Sequence, residues 1–203
     1  MIAIIDYGVG NLFSVEKALA ALGADAKITS DARTIAAADK IVLPGVGAFG
    51  DCMENLTATG LIPTIKDFVK TGKPMLGICV GLQILFEGSE ESIGVAGLGL
   101  LKGKVCRIQA PGLKVPHMGW NSLTIKSPRQ PLDLFQGLSE KPYVYFVHSY
   151  HAVPQDSSIV TATTEYGSEL TAAVAKGNIQ ATQFHPEKSG DVGLAILKNF
   201  ING

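Results

Sequence analysis

The chain has 203 residues, 46% hydrophobic and 17% charged, with 17 basic against 18 acidic side chains and a net charge of −1. Such a length buries a sizeable core in a single domain, expected to run over residues 1–203, and the apolar content excludes a disordered chain. Near-neutrality leaves no general attraction for nucleic acid or for an anionic membrane.

The opening Met1 to Asp6 has no basic region and no cleavage site, and no apolar run approaches the ~20 residues that span a bilayer, so a soluble, cytoplasmic protein is expected. Cys52, Cys79 and Cys106 are widely spaced without a C-x-x-C, which argues against a disulfide framework and a zinc ribbon.

In chain order, Ile2 to Asp6 is a short apolar strand ending in Tyr7-Gly8-Val9-Gly10-Asn11, and Leu12, Val15, Leu19 and Leu22 then recur at helical spacing up to Gly23. A strand around Ala26 to Thr29, a short helix near Asp31 to Ala38 and a strand from Lys40 to Leu43 follow. That strand runs into Pro44-Gly45-Val46-Gly47. Helical patterns return at about Asp51 to Leu56 and Pro63 to Val69, and another strand follows Gly72. This alternation predicts a doubly wound, mostly parallel α/β sheet whose ligands sit beyond the carboxyl ends of the strands. After Gly94 the runs Leu98–Ile108, Ser122–Lys126, Val144–Val153, Ile159–Thr164, Leu170–Lys176 and Ile179–Phe184 are β-type and read as antiparallel additions to the same sheet. Gly177-Asn178 predicts a tight hairpin, and Leu194, Leu197 and Ile201 mark one face of a closing helix.

The chemistry centres on Gly77-Ile78-Cys79-Val80-Gly81, a strand followed by a cysteine between glycines and then a run at helical spacing. This is the cysteine form of a nucleophile elbow, in which a tight strand-to-helix turn lifts the side chain above the sheet. Unpaired N–H groups at the start of the helix favour a thiolate there. On these residues alone a small buried hydrophobe is an equal reading.

A cysteine nucleophile needs a base and a group that orients the base. Gln183-Phe184-His185-Pro186-Glu187 closes an apolar strand, and on an extended segment Glu187 lies on the same side as His185. A strand-end histidine beside a solvated glutamate is the commoner meaning of such a tripeptide, but with the elbow present it reads as base and orienter. The turn Gly45-Val46-Gly47 can aim backbone N–H groups at an oxyanion, with the N–H of Val80 as second donor.

Other chemistries fit poorly. Gly8-x-Gly10 is followed by Phe13 where a dinucleotide fingerprint needs its third glycine, and there is no Walker A loop. His148 and His151 on one strand would face opposite ways, and His117 has no acidic or thiol neighbour, so no metal and no cofactor are expected.

With these motifs assembled, the chain resembles a class I (triad) glutamine amidotransferase over nearly its full length. Gly77 to Gln83 is similar to the family's nucleophile motif, and Phe184 to Glu187 to its His-Glu pair. The contexts Pro44 to Gly50, Pro116 to Asn121, Tyr145 to Tyr150 and His185 to Gly190 resemble the branch that serves a separate (β/α)8-barrel cyclase forming imidazole glycerol phosphate in histidine biosynthesis. The resemblance implies that Cys79 attacks L-glutamine, that His185 is base and then acid, and that Glu187 fixes the imidazole. It assigns the oxyanion to Gly45, Val46, Gly47 and Val80, and substrate holding to Gln83, Glu91, Ser149 and Tyr150. Glu87 and Glu90 stand close to Glu91 and compete for that role. Asn11, Trp120, Tyr145 and Lys188 are implied to lie on the face covered by the cyclase, in a heterodimer whose glutaminase is nearly silent until the partner's ligand binds. A glutaminase of another synthase and a stand-alone cysteine hydrolase share the scaffold and are the alternatives.

Overall fold

The computed structural model describes residues 1–126 and 132–203. The first half alternates as the apolar periodicity predicts: β1 (Ile2–Ile5), α1 (Leu12–Ala21), β2 (Ala26–Thr29), α2 (Ala32–Ala37), β3 (Lys40–Gly45), α3 (Phe49–Ala58), α4 (Ile62–Lys70), β4 (Met75–Cys79) and α5 (Val80–Gln83). The second half supplies β5 (Gly103–Arg107), β6 (His117–Ser122), β7 (Thr124–Ile125), β8 (Tyr143–His148), β9 (Tyr150–Pro154), β10 (Val160–Glu165), β11 (Glu169–Lys176), β12 (Ile179–Thr182) and the closing α6 (Gly190–Asn202).

Among the described residues, one eight-stranded sheet runs in the order β2-β1-β3-β4-β12-β11-β10-β7. Its first five members are parallel, and β11, β10 and β7 extend it antiparallel. The central strands β1, β3 and β4 are almost wholly apolar and buried, as a sheet covered on both faces requires. Helix α1 buries Val15, Ala18 and Leu19, and α6 buries Ile196, Leu197 and Phe200. The Gly177-Asn178 hairpin forms as predicted, with Lys176 opposite Ile179 and the Asn178 amide donating to the Val69 and Lys73 carbonyls.

Three expectations are corrected. The β-type runs do not all join the main sheet: β5 pairs with β9 and β6 with β8, each as a separate two-stranded ladder. The run Val144–Val153 is broken at Ser149, so His148 and His151 lie on different strands with different partners. The helical run after Cys79 is a single turn, Val80–Gln83. Strand β6 was hidden because its sequence, His-Met-Gly-Trp-Asn-Ser, has polar residues on the inward positions where an ordinary strand would place aliphatic ones.

Candidate active site

Strand β4 is buried throughout and ends at Cys79, whose backbone takes φ 57° and ψ −113°, the one positive-φ residue other than glycine among the described residues. The turn is tight because β3 and β4 lie side by side, Gly45 opposite Cys79, while α5 doubles back over them. A Cβ at Gly81 would stand 1.9 Å from the Leu43 carbonyl oxygen, and one at Gly45 2.6 Å from the Gly81 nitrogen. Only glycine lets the backbones approach this closely. Cys79 is 4% exposed and its side chain reaches a cavity of about 430 Å³.

His185 comes from the far end of the sequence and arrives beside Cys79 because β12 inserts next to β4, Ile179 opposite Met75 through Thr182 opposite Ile78. Its backbone is pinned to β8. The His185 N–H donates to the Tyr145 carbonyl at 3.0 Å, while the Ser189 hydroxyl donates to the His185 carbonyl at 2.6 Å and accepts from the Tyr145 N–H at 3.0 Å. His185 Nδ1 lies 2.9 Å from Glu187 Oε1, with both side chains shielded from solvent. This pairing does not arise on an extended segment, since Pro186–Lys188 forms a short 3₁₀ turn that brings Glu187 back under the ring. Burial works against the imidazolium, but hydrogen bonds to Cys79 and Glu187 and the charges on both outweigh it and raise the His185 pKa to about 9. Glu187 Oε2 is buried and has no hydrogen-bond partner among the described residues.

The cavity is lined by Val46, Gly47, Cys79, Val80, Gln83, Glu91, Pro116, Val147, His148, Ser149, Tyr150, His185 and Lys188. The predicted substrate residues are therefore brought together around the thiol. The three neighbouring glutamates separate cleanly. Glu87 pairs with Lys102 and the Gly103 N–H, and Glu90 accepts from the Arg107 N–H. Glu91 alone of the three lines the cavity, its carboxylate accepting the Phe49 N–H at 2.8 Å. Gly45 is buried and is not part of the lining; the Gly45-Val46-Gly47 turn reaches the cavity through Val46 and Gly47. The Val46 carbonyl accepts the Cys52 thiol at 3.3 Å, and burial, its largest influence, pushes the Cys52 thiol pKa up.

Of the four predicted partner residues only Lys188 lines the cavity, and Asn11, Trp120 and Tyr145 lie outside its lining. Trp120 is exposed and stands edge-on to Tyr145, its cross-strand neighbour, with ring centroids 6.2 Å apart. Lys188 is exposed at the cavity mouth, and Asn11 begins α1, which packs against the 186–188 turn.

Sequence reasoning missed two features. Gln183 Nε2 lies 3.8 Å from Cys79 Sγ, a donor at the sulfur that the strand register alone could have suggested, since Gln183 follows Thr182 just as Cys79 follows Ile78. His117, read from sequence as having no acidic or thiol neighbour, sits 2.9 Å from the His148 ring, and burial is the main force lowering both pKa values, to about 4 for His117 and about 3 for His148.

Cys79 at its tight turn and the buried His185–Glu187 pair meet at one cavity on a doubly wound sheet. The model of the glutamine amidotransferase class-I family matches residues 3–202, and the chain belongs to that family. Solved structures share the fold: PurLQS from Thermotoga maritima superposes with a TM-score of 0.76 at 23% identity, covering 99% of this chain and 97% of that one. The glutaminase domain of Trypanosoma brucei CTPS does so with 0.64 at 16%, covering 99% and 93%.

Within the class, the similarity is far higher to imidazole glycerol phosphate synthase subunit HisH. The Syntrophotalea carbinolica protein of that name is 53% identical over 206 residues, 98% of each chain, and the Methanothermobacter thermautotrophicus one 55% identical over 201 residues, 99% of this chain and 98% of that protein.

Proposed function

We propose that this chain is the glutaminase subunit of an imidazole glycerol phosphate synthase, a single domain over residues 1–203 that hydrolyses L-glutamine and passes ammonia to a (β/α)8-barrel cyclase partner. The observation that carries the reading is the cavity that joins the Cys79 thiol, the His185–Glu187 pair and the polar wall of Gln83, Glu91, Ser149 and Tyr150. Its volume of about 430 Å³ suits a free amino acid.

In this mechanism the thiol proton passes to His185, whose raised pKa and Glu187 partner stabilise the imidazolium. The Cys79 sulfur attacks the side-chain amide carbon of glutamine, and the oxyanion is held by the Val80 N–H and the turn at Val46 and Gly47. His185 returns the proton to the departing nitrogen, ammonia leaves, and a γ-glutamyl thioester remains. A water molecule, deprotonated by His185, then cleaves the thioester to glutamate, and the thiol is restored. Ammonia released into neutral water would be protonated and lost as a nucleophile, which requires a closed route to the cyclase across the rim formed by Asn11, Trp120, Tyr145 and Lys188. Free cysteines and a biosynthetic role fit the cytoplasm.

The Cys79→Ala complex should lose glutamine-dependent synthesis and keep ammonia-dependent synthesis by the cyclase; retained glutamine use would remove Cys79 as the nucleophile. Alone, the wild-type chain should hydrolyse glutamine barely, and the cyclase with its nucleotide ligand should raise the rate by orders of magnitude. Full activity in isolation would refute that gating.

A further inference from the structure

The β6–β8 ladder has two faces, because successive side chains alternate. Met118 and Trp120 on β6 point outward and are exposed. His117 and Asn121 point inward, with His117 opposite the buried His148 and Asn121 opposite the buried Val144. The mechanism above makes no use of this inner face.

Its hydrogen bonds run in one direction, and backbone groups fix that direction at both ends. Asn121 Nδ2 lies 2.9 Å from the Glu165 carbonyl and its Oδ1 accepts the Ser122 N–H at 2.8 Å, so the amide orientation is set and the same Nδ2 donates to His117 Nε2 at 3.2 Å. At the other end His148 Nδ1 lies 2.9 Å from the Tyr150 carbonyl, which can only accept. His148 Nδ1 therefore carries the proton. Its Nε2 is then an acceptor for His117 Nδ1–H at 2.9 Å, and His117 Nε2 is free to accept from Asn121. Both rings are neutral, in keeping with their depressed pKa values. His117 is also held flat between Phe146 and Tyr166, with ring centroids at 4.6 and 4.1 Å.

The Tyr150 carbonyl takes a second hydrogen bond, from Gln83 Nε2 at 3.1 Å. The same nitrogen donates to Gln183 Oε1 at 3.0 Å, which leaves Gln183 Nε2 facing Cys79 Sγ at 3.8 Å. Both amide hydrogens of Gln83 are thus committed, and the group it can offer to the cavity is its carbonyl oxygen, an acceptor.

We propose that His117 and His148 are positioning residues, a directed hydrogen-bond relay from the partner-facing hairpin that holds the Tyr150 carbonyl and through it the polarity of the Gln83 amide. The cavity wall then presents an acceptor to an N–H of the bound amino acid, and the Gln183 amide is oriented at the sulfur. The relay rests on the reading of this cavity as the glutamine site.

The test uses the chain in complex with its cyclase, with L-glutamine as the varied substrate. In His148→Asn the side-chain amide nitrogen occupies the place of Nδ1 and preserves the donor to Tyr150; in His148→Gln that donor is lost. Loss of one buried hydrogen bond predicts a KM for glutamine about tenfold higher in His148→Gln, with His148→Asn within about threefold of wild type and ammonia-dependent synthesis unchanged in both. His117→Phe keeps the ring stack, cuts the relay at the hairpin and should raise KM in the same direction, which carries the test should His148→Gln fold poorly. Nitrogen-15 NMR of the wild-type complex should find both rings protonated at Nδ1. Equal KM values for the Asn and Gln variants, lowered thermal stability with KM unmoved, or an Nε2–H tautomer at either ring would overturn the relay. A wild-type complex that makes no use of glutamine would instead overturn the functional reading.

Discussion

The backbone of Cys79 predicts an inverted order of stability between its two smallest replacements. A residue with a Cβ held at φ 57° and ψ −113° stores about 1–3 kcal/mol of strain, which alanine retains and glycine escapes. Against this, glycine loses roughly 0.5–1 kcal/mol of backbone entropy relative to alanine on folding. Both variants lack the thiol, so its lost hydrogen bonds and packing cancel in the comparison. The turn cannot relax to relieve alanine, because α5 is pressed against β3 so closely that a Cβ at Gly81 would stand 1.9 Å from the Leu43 carbonyl oxygen. The difference centres on about 1 kcal/mol in favour of Cys79→Gly, and at roughly 2–4 °C per kcal/mol for a chain of this size its Tm should exceed that of Cys79→Ala by about that interval. Thermal unfolding followed by circular dichroism, with urea midpoints as a second measure, decides the matter. An alanine variant as stable as the glycine variant would show that the elbow carries no strain specific to a Cβ.

Gly81→Ala should cost roughly 3 kcal/mol or abolish folding, since its methyl meets a backbone oxygen that cannot move aside; an unchanged denaturation midpoint would contradict the packing described. The pKa of His185, raised to about 9, also fixes a sign. Its contribution to stability is complete below the ordinary histidine value of about 6.5 and is lost as pH rises through the folded value, so wild-type stability should fall on the alkaline side. In Glu187→Gln, which removes a charge that raises this pKa, the decline should move to lower pH; a profile that stays in place would show that Glu187 does not act on His185.

What the sequence made legible was local. The strands and helices up to Cys79 follow from short-range periodicity, and the elbow, the His-Pro-Glu tripeptide and the glycine-rich turn are contiguous motifs that keep their meaning wherever the chain places them. What stayed hidden depends on pairing between distant segments. Strand β6 has no aliphatic alternation because its inward positions hold a histidine, a glycine and an asparagine, and the polar pair finds partners far away in sequence, His117 at His148 on β8 and Asn121 at the Glu165 carbonyl of β10. The break at Ser149 has the same character, since Tyr143–His148 and Tyr150–Pro154 form one apolar run in sequence but bind different partners in space. The choice among Glu87, Glu90 and Glu91 was equally closed to sequence, because it is made by β5, whose Gly103 and Arg107 N–H groups claim the first two.

The register of β12 explains how Gln183 meets Cys79 although the two are 104 residues apart. Thr182 pairs with Ile78, so the next residue on each strand falls level, and Gln183 arrives beside the sulfur at the point where β4 ends. His185 lies two residues further on, past the edge of the sheet, where the main ladder no longer holds it. Its position is set instead by Tyr145, through one direct backbone hydrogen bond and a second bridged by Ser189. His185 is therefore anchored to the same β6–β8 ladder that carries Trp120 outward and His117 inward, while Cys79 is anchored to the parallel sheet.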